Sequence, residues 1–527
     1  MFKVKMKRHL NKYIFLLLLS FTAILIHGYQ FGVSDQEIFI PYILKTADPS
    51  LFQNDILFTQ PSANVSLFYS FFGFLIKYFN IELVFFIGYL VFQFLFFDGI
   101  YRLSRVIFNR NLAYFSLIPF LIPKFIGGTA TFTYDPFFGY RSIGLIFLIY
   151  YITFLIRGAF YKATTGAILG MLFHPLSIIP NILILPATIL AVSKNKIKDL
   201  VIITLVLSIS IGLILWIFTV KADVLLENFS DQEWFSIIRF RDDYLFPSLW
   251  SVKGWLSMGL YLTLIFLFRK YLKSKTKRIV SIFIGVALAI FLTNYIVLEI
   301  FRIPLIAQFQ LVRSSAPIAY IALAIAPLFL IYQNLLLKTL GVIAFGALSL
   351  NLFYVFLFAT VLFILSLIFV EKQTRDAIPA KEIALIIGSI FILHLLLNFN
   401  SYKNFQQKIQ FPKQTNDWIA LQLWARNHTD KTATFLVPPD QTGFRIFSQR
   451  PIVGDIKDGA VVIYSPFYAN YWRQLMDDLE NYHTSDEEEF ANLQKKYQNE
   501  YVVTLKEHNL NFLPVYKNDS FNVFKID

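Results

Sequence analysis

Long apolar segments recur along this chain, and they constrain the fold more strongly than any short motif. They occupy residues 13–33, 199–219, 252–268, 279–298, 315–333, 339–370 and 383–399. A helix of about 20 apolar residues crosses the ~30 Å hydrocarbon core of a bilayer. With 56% hydrophobic and 15% charged residues, the chain does not have the composition of a soluble enzyme. The pattern predicts an all-α polytopic bundle of roughly 11–13 transmembrane helices.

Basic residues between the apolar segments predict how the bundle is oriented, because cytoplasmic loops are enriched in lysine and arginine. The segment before residue 13 is basic, and further basic loops lie at 194–198, 269–278 and 371–382. These loops place the N-terminus in the cytoplasm. They place residues 34–62, 221–250, 299–314 and the C-terminal region on the outer side.

The first half of the chain does not fit this scheme easily. Residues 63–100 are long enough for two helices, yet the basic loops allow them one crossing. Residues 163–192 must then cross twice, although His174-Pro175, Pro180 and Pro186 interrupt them. Broken helices are tolerated where they line a polar cavity, so we expect His174 at an outward-facing turn. The sequence leaves the helix count between 63 and 192 open.

After residue 399 the sequence becomes polar and mixed, which predicts two domains: a transmembrane domain over 1–399 and an outer α/β domain over 400–527. Asn416-Asp417 is a helix start signal, and a second helix is expected over 472–479. The strand candidates are 434–437, 451–453, 501–504 and 521–524.

The charge and the cysteine count exclude several functions. The formal net charge is +13, but the basic excess lies between apolar segments, where it orients helices. We therefore expect membrane lipid as a partner and no nucleic acid. The absence of cysteine excludes disulfides, thiolate metal sites and a cysteine nucleophile.

The first outer loop is rich in acidic residues, among them Asp35, Glu37, Asp48 and Asp55. A carboxylate at the membrane boundary can accept a proton from an attacking hydroxyl or bind a divalent cation. The alternative is that these side chains are solvated or cap a helix.

The second outer loop contains Asp135-Pro136 and Tyr140-Arg141. If the two loops pack together, Asp135 and Asp35 form a carboxylate pair; the alternative for Asp135 is a simple turn. His174 lies within an apolar stretch, where an ionisable group is a functional candidate. The alternative is a histidine satisfied in the core.

Arginines on the outer side oppose the orientation rule and need another explanation. Arg241 lies in the loop 221–250, and Arg313 lies with Gln310 in the loop 299–314. Arginine binds phosphate through paired hydrogen bonds, so a lipid-linked phosphate is a natural partner. The alternative is interaction with lipid headgroups. For Arg445 and Arg450 in the C-terminal domain, we expect structural pairing with Asp440 or Asp455; the alternative is a catalytic role.

The layout resembles the GT-C superfamily of membrane glycosyltransferases, which includes protein mannosyltransferases and the catalytic subunit of oligosaccharyltransferase. The resemblance rests on Ser34-Asp35-Gln36-Glu37, on Asn54-Asp55 through Pro61, on the Asp135 loop and on the tail motifs around Trp418, Phe435–Pro439 and Phe444–Arg450. It is closest to a group of bacterial polytopic membrane proteins. The His-Pro-Pro motif of the mannosyltransferases and the Trp-Trp-Asp motif of oligosaccharyltransferase are absent, which argues against protein acceptors.

The resemblance implies sugar transfer from a polyprenyl-phosphate-linked donor to an acceptor hydroxyl on the outer face of the bacterial cytoplasmic membrane. Asp35 is then the base, and Asp55 and Asp135 position the acceptor or a metal. A divalent cation, held by Asp35 and Asp135, is possible but not required. The implied substrate-binding residues, of which the two arginines and the histidine bind the donor phosphate, are Glu37, His174, Arg241, Gln310 and Arg313.

Two functions without catalysis compete with this interpretation. One is a transporter or flippase for a lipid-linked glycan, which predicts polar residues at mid-membrane and inverted repeats. The other is an assembly protein whose C-terminal domain binds a partner.

Overall fold

The computed structural model describes residues 2–59, 66–108, 110–217, 231–370, 374, 379–398, 409–508 and 510–526. Up to Leu397 the described part of the chain is almost entirely helical. Its α-helices are Phe2–His27, Gln36–Ala47, Ile56–Thr59, Leu67–Leu75, Ile81–Ile107, Arg110–Phe115, Tyr140–Arg157, Phe160–Phe173, Pro175–Ile178, Ile184–Val192, Lys196–Ile217, Gln232–Arg241, Val252–Phe268, Ser274–Asn294, Ala316–Ile325, Leu335–Ser349, Phe353–Phe369 and Ala380–Leu397.

Several described helices are long and apolar enough to cross a bilayer. Seven meet this condition by themselves: Leu10–His27, Ile81–Ile107, Tyr140–Arg157, Lys196–Ile214, Val252–Tyr271, Ser274–Ile300 and Pro304–Ile331. A pair of shorter helices, bent by 43°, adds an eighth candidate, and three further apolar helices have 10–17 residues. The protein is thus a multi-pass helical membrane protein, and the predicted fold class is confirmed.

The two uncertain regions of the first half have different solutions. Residues 67–107 form the short helix Leu67–Leu75 and one long helix, Ile81–Ile107. Nine helical residues rise only about 14 Å, too little to cross a bilayer, so one crossing is enough here. The segment after residue 159 forms helix Phe160–Phe173, breaks at His174, and continues through the bent pair Pro175–Asn181 and Ile184–Val192.

The second half follows the predicted apolar segments closely. The segment 339–370 is the expected hairpin, formed by Leu335–Ser349 and Phe353–Phe369. The basic residues expected in the loop 371–382 lie largely outside the described residues, as do Pro61 and the predicted domain boundary at 399 and 400.

The C-terminal domain is a small α/β domain. Its described helices are Asp417–His428, Phe444–Ser448, Pro466–Asp478 and Glu487–Tyr497, with a 3-10 helix over Ile456–Tyr464. Its sheet has the order Phe435–Leu436, Tyr501–Leu505, Phe521–Lys525, Pro514–Lys517, in which the first pair is parallel and the others are antiparallel. As expected, Asn416 caps the first helix through the N–H of Ile419.

Two details of this sheet differ from the sequence prediction. Residues 451–453 form only a single bridge, Ile452 with Phe435. The chain turns away after Gly454, where Asp455 caps the 3-10 helix Ile456–Tyr464. The edge strand Pro514–Lys517 lies outside the predicted strand candidates, and none of its residues is buried.

The C-terminal domain packs on one end of the helical bundle. Trp234 of helix Gln232–Arg241 is buried and donates its indole N–H to the carbonyl of Val462 at 2.8 Å. Trp472 belongs to the same apolar cluster as Trp234. Helix Gln36–Ala47 contacts helix Phe444–Ser448. The loops at this end of the bundle therefore meet the C-terminal domain.

Candidate functional site

Asp35 lies in a tight turn before helix Gln36–Ala47. Ser34 has a left-handed backbone with φ 55°, and Gln36 accepts a hydrogen bond from the N–H of Gly32 at 2.6 Å, which closes the turn. Although Asp35 occupies the N-cap position, its carboxylate makes no cap hydrogen bond. The side chain is 55% exposed, so it remains accessible to a second molecule.

The C-terminal domain supplies the charge partner of Asp35. Lys457, in the 3-10 helix Ile456–Tyr464, donates from Nζ to Oδ1 of Asp35 at 2.8 Å. Desolvation acts to raise the pKa of Asp35, but the Lys457 ammonium and its hydrogen bond, together with the charges of Arg141 and Arg313, outweigh it and hold the pKa below its usual range. Asp35 is therefore ionised at neutral pH, as a base must be.

Asp135 follows a short hairpin, Phe125–Ile126 paired with Thr131–Phe132. Arg141, in the first turn of helix Tyr140–Arg157, binds both the Asp135 carboxylate and the carbonyl of Phe132. Desolvation nevertheless raises the pKa of Asp135, and the charge of Asp35 adds to this effect. The two carboxylates thus differ in proton affinity, which is a common feature of acid–base sites.

His174 lies in the break between helices and is only 2% exposed. Its Nδ1 lies 2.7 Å from Oγ of Ser177. Together with Arg141 and Arg313, His174 lines a small cavity of about 20 Å³, which is about the volume that one water molecule requires. Helix breakage at Pro175 thus places an imidazole beside two guanidinium groups.

Arg313 is a cation without an ion-pair partner among the described residues. It lies on the 3-10 helix Leu311–Ser315, which begins after Gln310 in a left-handed conformation with φ 47°. Its charge lowers the pKa of both Asp35 and Asp135, so the three groups lie within electrostatic reach. Its Nε is buried without a hydrogen-bond partner. A buried unsatisfied donor is costly, so this N–H can bind an acceptor that enters the cavity, either a water molecule or an anionic ligand.

A second set of unsatisfied polar atoms extends this region. Arg241 Nε, Asp242 Oδ2 and Gln310 Oε1 are buried without partners. Burial raises the pKa of Asp242 to about 7, against the charges of Arg241 and Arg313. Gln310 also donates to the hydroxyl of Tyr464 at 3.5 Å. Each of these three groups therefore keeps hydrogen-bonding capacity among the described residues.

Two predicted residues contact the C-terminal domain. Glu37 faces Thr442 and Gly443 of that domain, and burial raises its pKa; it also lies within electrostatic reach of Asp35 and Lys457. Asp55 is completely buried and accepts hydrogen bonds from Arg445 at 2.7 and 3.1 Å. The structure therefore places Asp55 in an ion pair, and none of its contacts among the described residues is with Asp35.

The predicted pairing of Arg445 with Asp440 or Asp455 is wrong. Arg445 binds Asp55 and Asp458, the latter at 2.7 and 2.8 Å. Asp455 instead caps the helix that follows it. Arg450 binds backbone carbonyl groups, including those of residues 426 and 429. Sequence proximity suggested nearby partners, but the fold brings the first outer loop to Arg445.

The structure places Asp35, Asp135 and His174 within electrostatic reach of Arg313. Arg241 is linked to this group through Asp242, and Gln310 through Tyr464. Sequence reasoning did not assign Arg141, Asp242 or Lys457 to the site. Two of these residues have features that could have identified them. Arg141, like Arg313, is an arginine on the predicted outer side, and Asp242 directly follows Arg241. No sequence signal distinguishes Lys457 from the other lysines of the C-terminal domain.

Comparison with known proteins gives a partial family match and a distant structural likeness. A family model described as a domain of unknown function (DUF6798) matches residues 416–479, a segment that includes Arg445 and Lys457. No curated protein matches the chain. A solved structure of the oligosaccharyltransferase AglB from the archaeon Archaeoglobus fulgidus, in complex with an inhibitory peptide and a dolichol-phosphate, is similar over 95% of this chain and 70% of that chain, with 12% identity and a TM-score of 0.44.

Proposed function

We propose that this protein is a membrane glycosyltransferase of the GT-C type. It transfers a sugar from a polyprenyl-phosphate-linked donor to an acceptor hydroxyl on the outer face of the bacterial cytoplasmic membrane. One observation carries the proposal: Arg313, without an ion-pair partner among the described residues, lies within electrostatic reach of two carboxylates of different proton affinity. This arrangement provides a base and an anion-binding group side by side.

Asp35 is the base in this proposal. Its carboxylate takes the proton of the acceptor hydroxyl as the acceptor oxygen forms a bond to the anomeric carbon of the donor sugar. The bond between that carbon and the phosphate oxygen breaks, and the electron pair leaves with the polyprenyl phosphate. Asp35 suits this role because it is accessible and its pKa is held low.

Arg313 stabilises the leaving phosphate. The negative charge on the phosphate increases as the sugar–oxygen bond breaks, and a preorganised cation lowers the energy of that transition state. Arg241, Gln310 and His174 complete the phosphate and sugar contacts, since Arg241 and Gln310 have unsatisfied buried atoms. Asp135, held by Arg141, positions the acceptor.

The cationic partners of both carboxylates oppose a resident divalent cation. Asp35 is paired with Lys457, and Asp135 with Arg141. A hard cation would have to displace these groups to reach the carboxylate oxygens. No step of the proposed reaction passes through a metal.

The transporter alternative predicts polar groups available at mid-membrane. The buried Asp98 in helix Ile81–Ile107 is an ionisable group of the bundle, and it binds Lys12, Arg102 and Tyr150. It therefore joins three helices. Gln93 of the same helix and Asn181 keep buried side-chain oxygens without hydrogen-bond partners among the described residues, so the transfer experiment below distinguishes the enzyme from the transporter.

Reconstituted full-length protein tests the proposal. Proteoliposomes receive a panel of radiolabelled polyprenyl-phosphate sugars and a delipidated cell-envelope extract as the source of acceptors, and label in the non-lipid product is counted. We expect Asp35→Asn to lower transfer at least about 100-fold and Arg313→Gln to lower it by about 100- to 1,000-fold. Both variants should retain the melting temperature of the wild type to within a few degrees.

Asp48→Asn is the matched control, because Asp48 lies in the same loop but pairs at the surface with Lys431. It should leave transfer unchanged. Normal transfer by Asp35→Asn would exclude Asp35 as the base. A folded wild-type protein that uses no donor of the panel would favour the two non-enzymatic functions.

A further inference from the structure

Lys124 is a buried cation with no acidic partner among the described residues. It precedes the hairpin strand Phe125–Ile126, and only 2% of the residue is exposed. Within the part of the chain that the structure describes, its ammonium donates to one protein group, the carbonyl of Ser349, at 3.1 Å. Burying a charge without a counter-charge is expensive. The only cause that shifts the pKa of Lys124, to about 7, is this burial.

A cavity of about 110 Å³ adjoins Lys124. Its polar lining comes from Lys124, Lys253, Ser257, Asn351 and the hydroxyl of Tyr261, which donates to the carbonyl of Phe125, and the rest is apolar. Lys253 is exposed and likewise has no ion pair among the residues that the structure describes; its Nζ lies 5.7 Å from the ring centroid of Phe353. A water molecule occupies about 30 Å³ in the liquid, so the cavity is large enough for a group of phosphate size.

The cavity lies at the end of the bundle that carries the C-terminal domain. Lys253 is in the first turn of helix Val252–Phe268, and the preceding helix Gln232–Arg241 packs on that domain through Trp234. The hairpin and this helix approach closely: a Cβ on Gly127 would lie 2.3 Å from the carbonyl oxygen of Gly254. Lysines at the outer boundary of a membrane oppose the orientation rule and require another reason.

The cavity is separate from the candidate functional site. Phe125 lines the Lys124 cavity, whereas its neighbour Ile126 lines the cavity of Arg141, His174 and Arg313. Successive residues of a strand point to opposite faces, so the hairpin divides the two cavities. The Lys124 cavity lies between helices whose other surfaces face lipid, which makes a lipid headgroup the nearest source of an anion.

We propose that Lys124 and Lys253 form a binding site for the phosphate of an anionic phospholipid headgroup. The buried ammonium binds the phosphate oxygens, and Lys253 closes the site from the solvent side. Asn351 and Ser257 supply neutral hydrogen bonds. The apolar remainder, including Phe353 and Phe356, accommodates the beginning of the acyl chains. This inference does not depend on the proposed sugar transfer.

The test uses full-length protein in a neutral detergent. Mixed micelles contain increasing amounts of phosphatidylglycerol or, as a neutral control, phosphatidylcholine. The melting temperature is measured at each lipid concentration, and its increase with concentration gives the apparent affinity. A parallel series contains inorganic phosphate alone. We expect phosphatidylglycerol to raise the melting temperature of the wild type, with an apparent affinity at least about fivefold weaker for Lys253→Met and weaker still for Lys124→Met.

Lys273→Met is the matched control, because Lys273 is exposed in the basic loop before Ser274, at the opposite end of the bundle. It should bind phosphatidylglycerol like the wild type. If Lys124→Met does not fold, Lys253→Met still decides the result. If inorganic phosphate alone raises the melting temperature of the wild type but not of the lysine variants, the anion site is supported and its ligand is a soluble phosphate. Equal responses of the wild type and Lys253→Met to both probes would overturn the proposal.

Discussion

At the scale of single residues, the candidate site depends on how each charge is compensated. Asp35 is ionised because Lys457 binds it, whereas desolvation leaves Asp135 and Asp242 with raised pKa values. Arg313 has no partner among the described residues, so its charge is available to a ligand. The site thus has one ionised carboxylate, one guanidinium without an ion pair among the described residues, and one carboxyl group, Asp242, with a pKa of about 7. Such a set is equipped for acid–base chemistry on a phosphate-bearing substrate.

Lys457→Met tests this compensation through the pH dependence of transfer. The substitution removes the charge that holds the pKa of Asp35 down, while the opposing desolvation remains, so the pKa rises. Because the base must be ionised, activity is lost as pH falls through that pKa. We expect the acidic limb of kcat/KM to move to higher pH in Lys457→Met and to stay in place in Lys457→Arg. An unchanged acidic limb in Lys457→Met would show that Lys457 does not hold down the pKa of the catalytic base.

At the scale of elements, one buried ion-pair cluster joins the first outer loop to the C-terminal domain. Arg445 of helix Phe444–Ser448 lies between Asp55 and Asp458, and all three residues are at most 2% exposed. Asp458 belongs to the same 3-10 helix as Lys457 and Tyr464. The cluster therefore fixes the element that supplies residues to the candidate site.

Arg445→Met should destabilise the attachment of this element. Removing one partner of a buried ion pair leaves uncompensated charges and costs about 3–5 kcal/mol. We expect a lower melting temperature and faster cleavage of the C-terminal domain by a protease. The control is Lys431→Met, which removes an exposed pair with Asp48 and should cost at most about 1 kcal/mol. Equal stability of the two variants would refute the role of the cluster.

At the scale of the whole molecule, the candidate site lies where loops of the bundle meet the C-terminal domain. The first outer loop, the Asp135 hairpin and the 3-10 helix with Arg313 come from the bundle, and Lys457 comes from the C-terminal domain. Since the domain packs on that end, its side of the membrane determines where the reaction occurs. The proposed outer-face chemistry requires the C-terminal domain outside and the basic loop at 269–278 inside.

The absence of cysteine makes this orientation directly measurable. Asp519→Cys introduces a thiol at an exposed position of the C-terminal domain, and Ser274→Cys introduces one beside the basic loop. A membrane-impermeant maleimide should label Asp519→Cys in intact cells and Ser274→Cys only after permeabilisation. The reverse pattern would place the candidate site in the cytoplasm and exclude an outer-face donor.

The sequence by itself determined the helical membrane bundle and the α/β character of the C-terminal domain. Both follow from where apolar residues occur along the chain, because burial in a bilayer or a core is a local requirement. Tertiary structure alone decided which charges meet. Lys457 lies 422 positions from Asp35, and Arg445 lies 390 positions from Asp55. An ion pair requires that two charges lie close in space, and residue types and spacing along the chain do not reveal that distance. Only the fold therefore shows that Lys457 belongs to the site and that Asp55 is part of a buried ion pair.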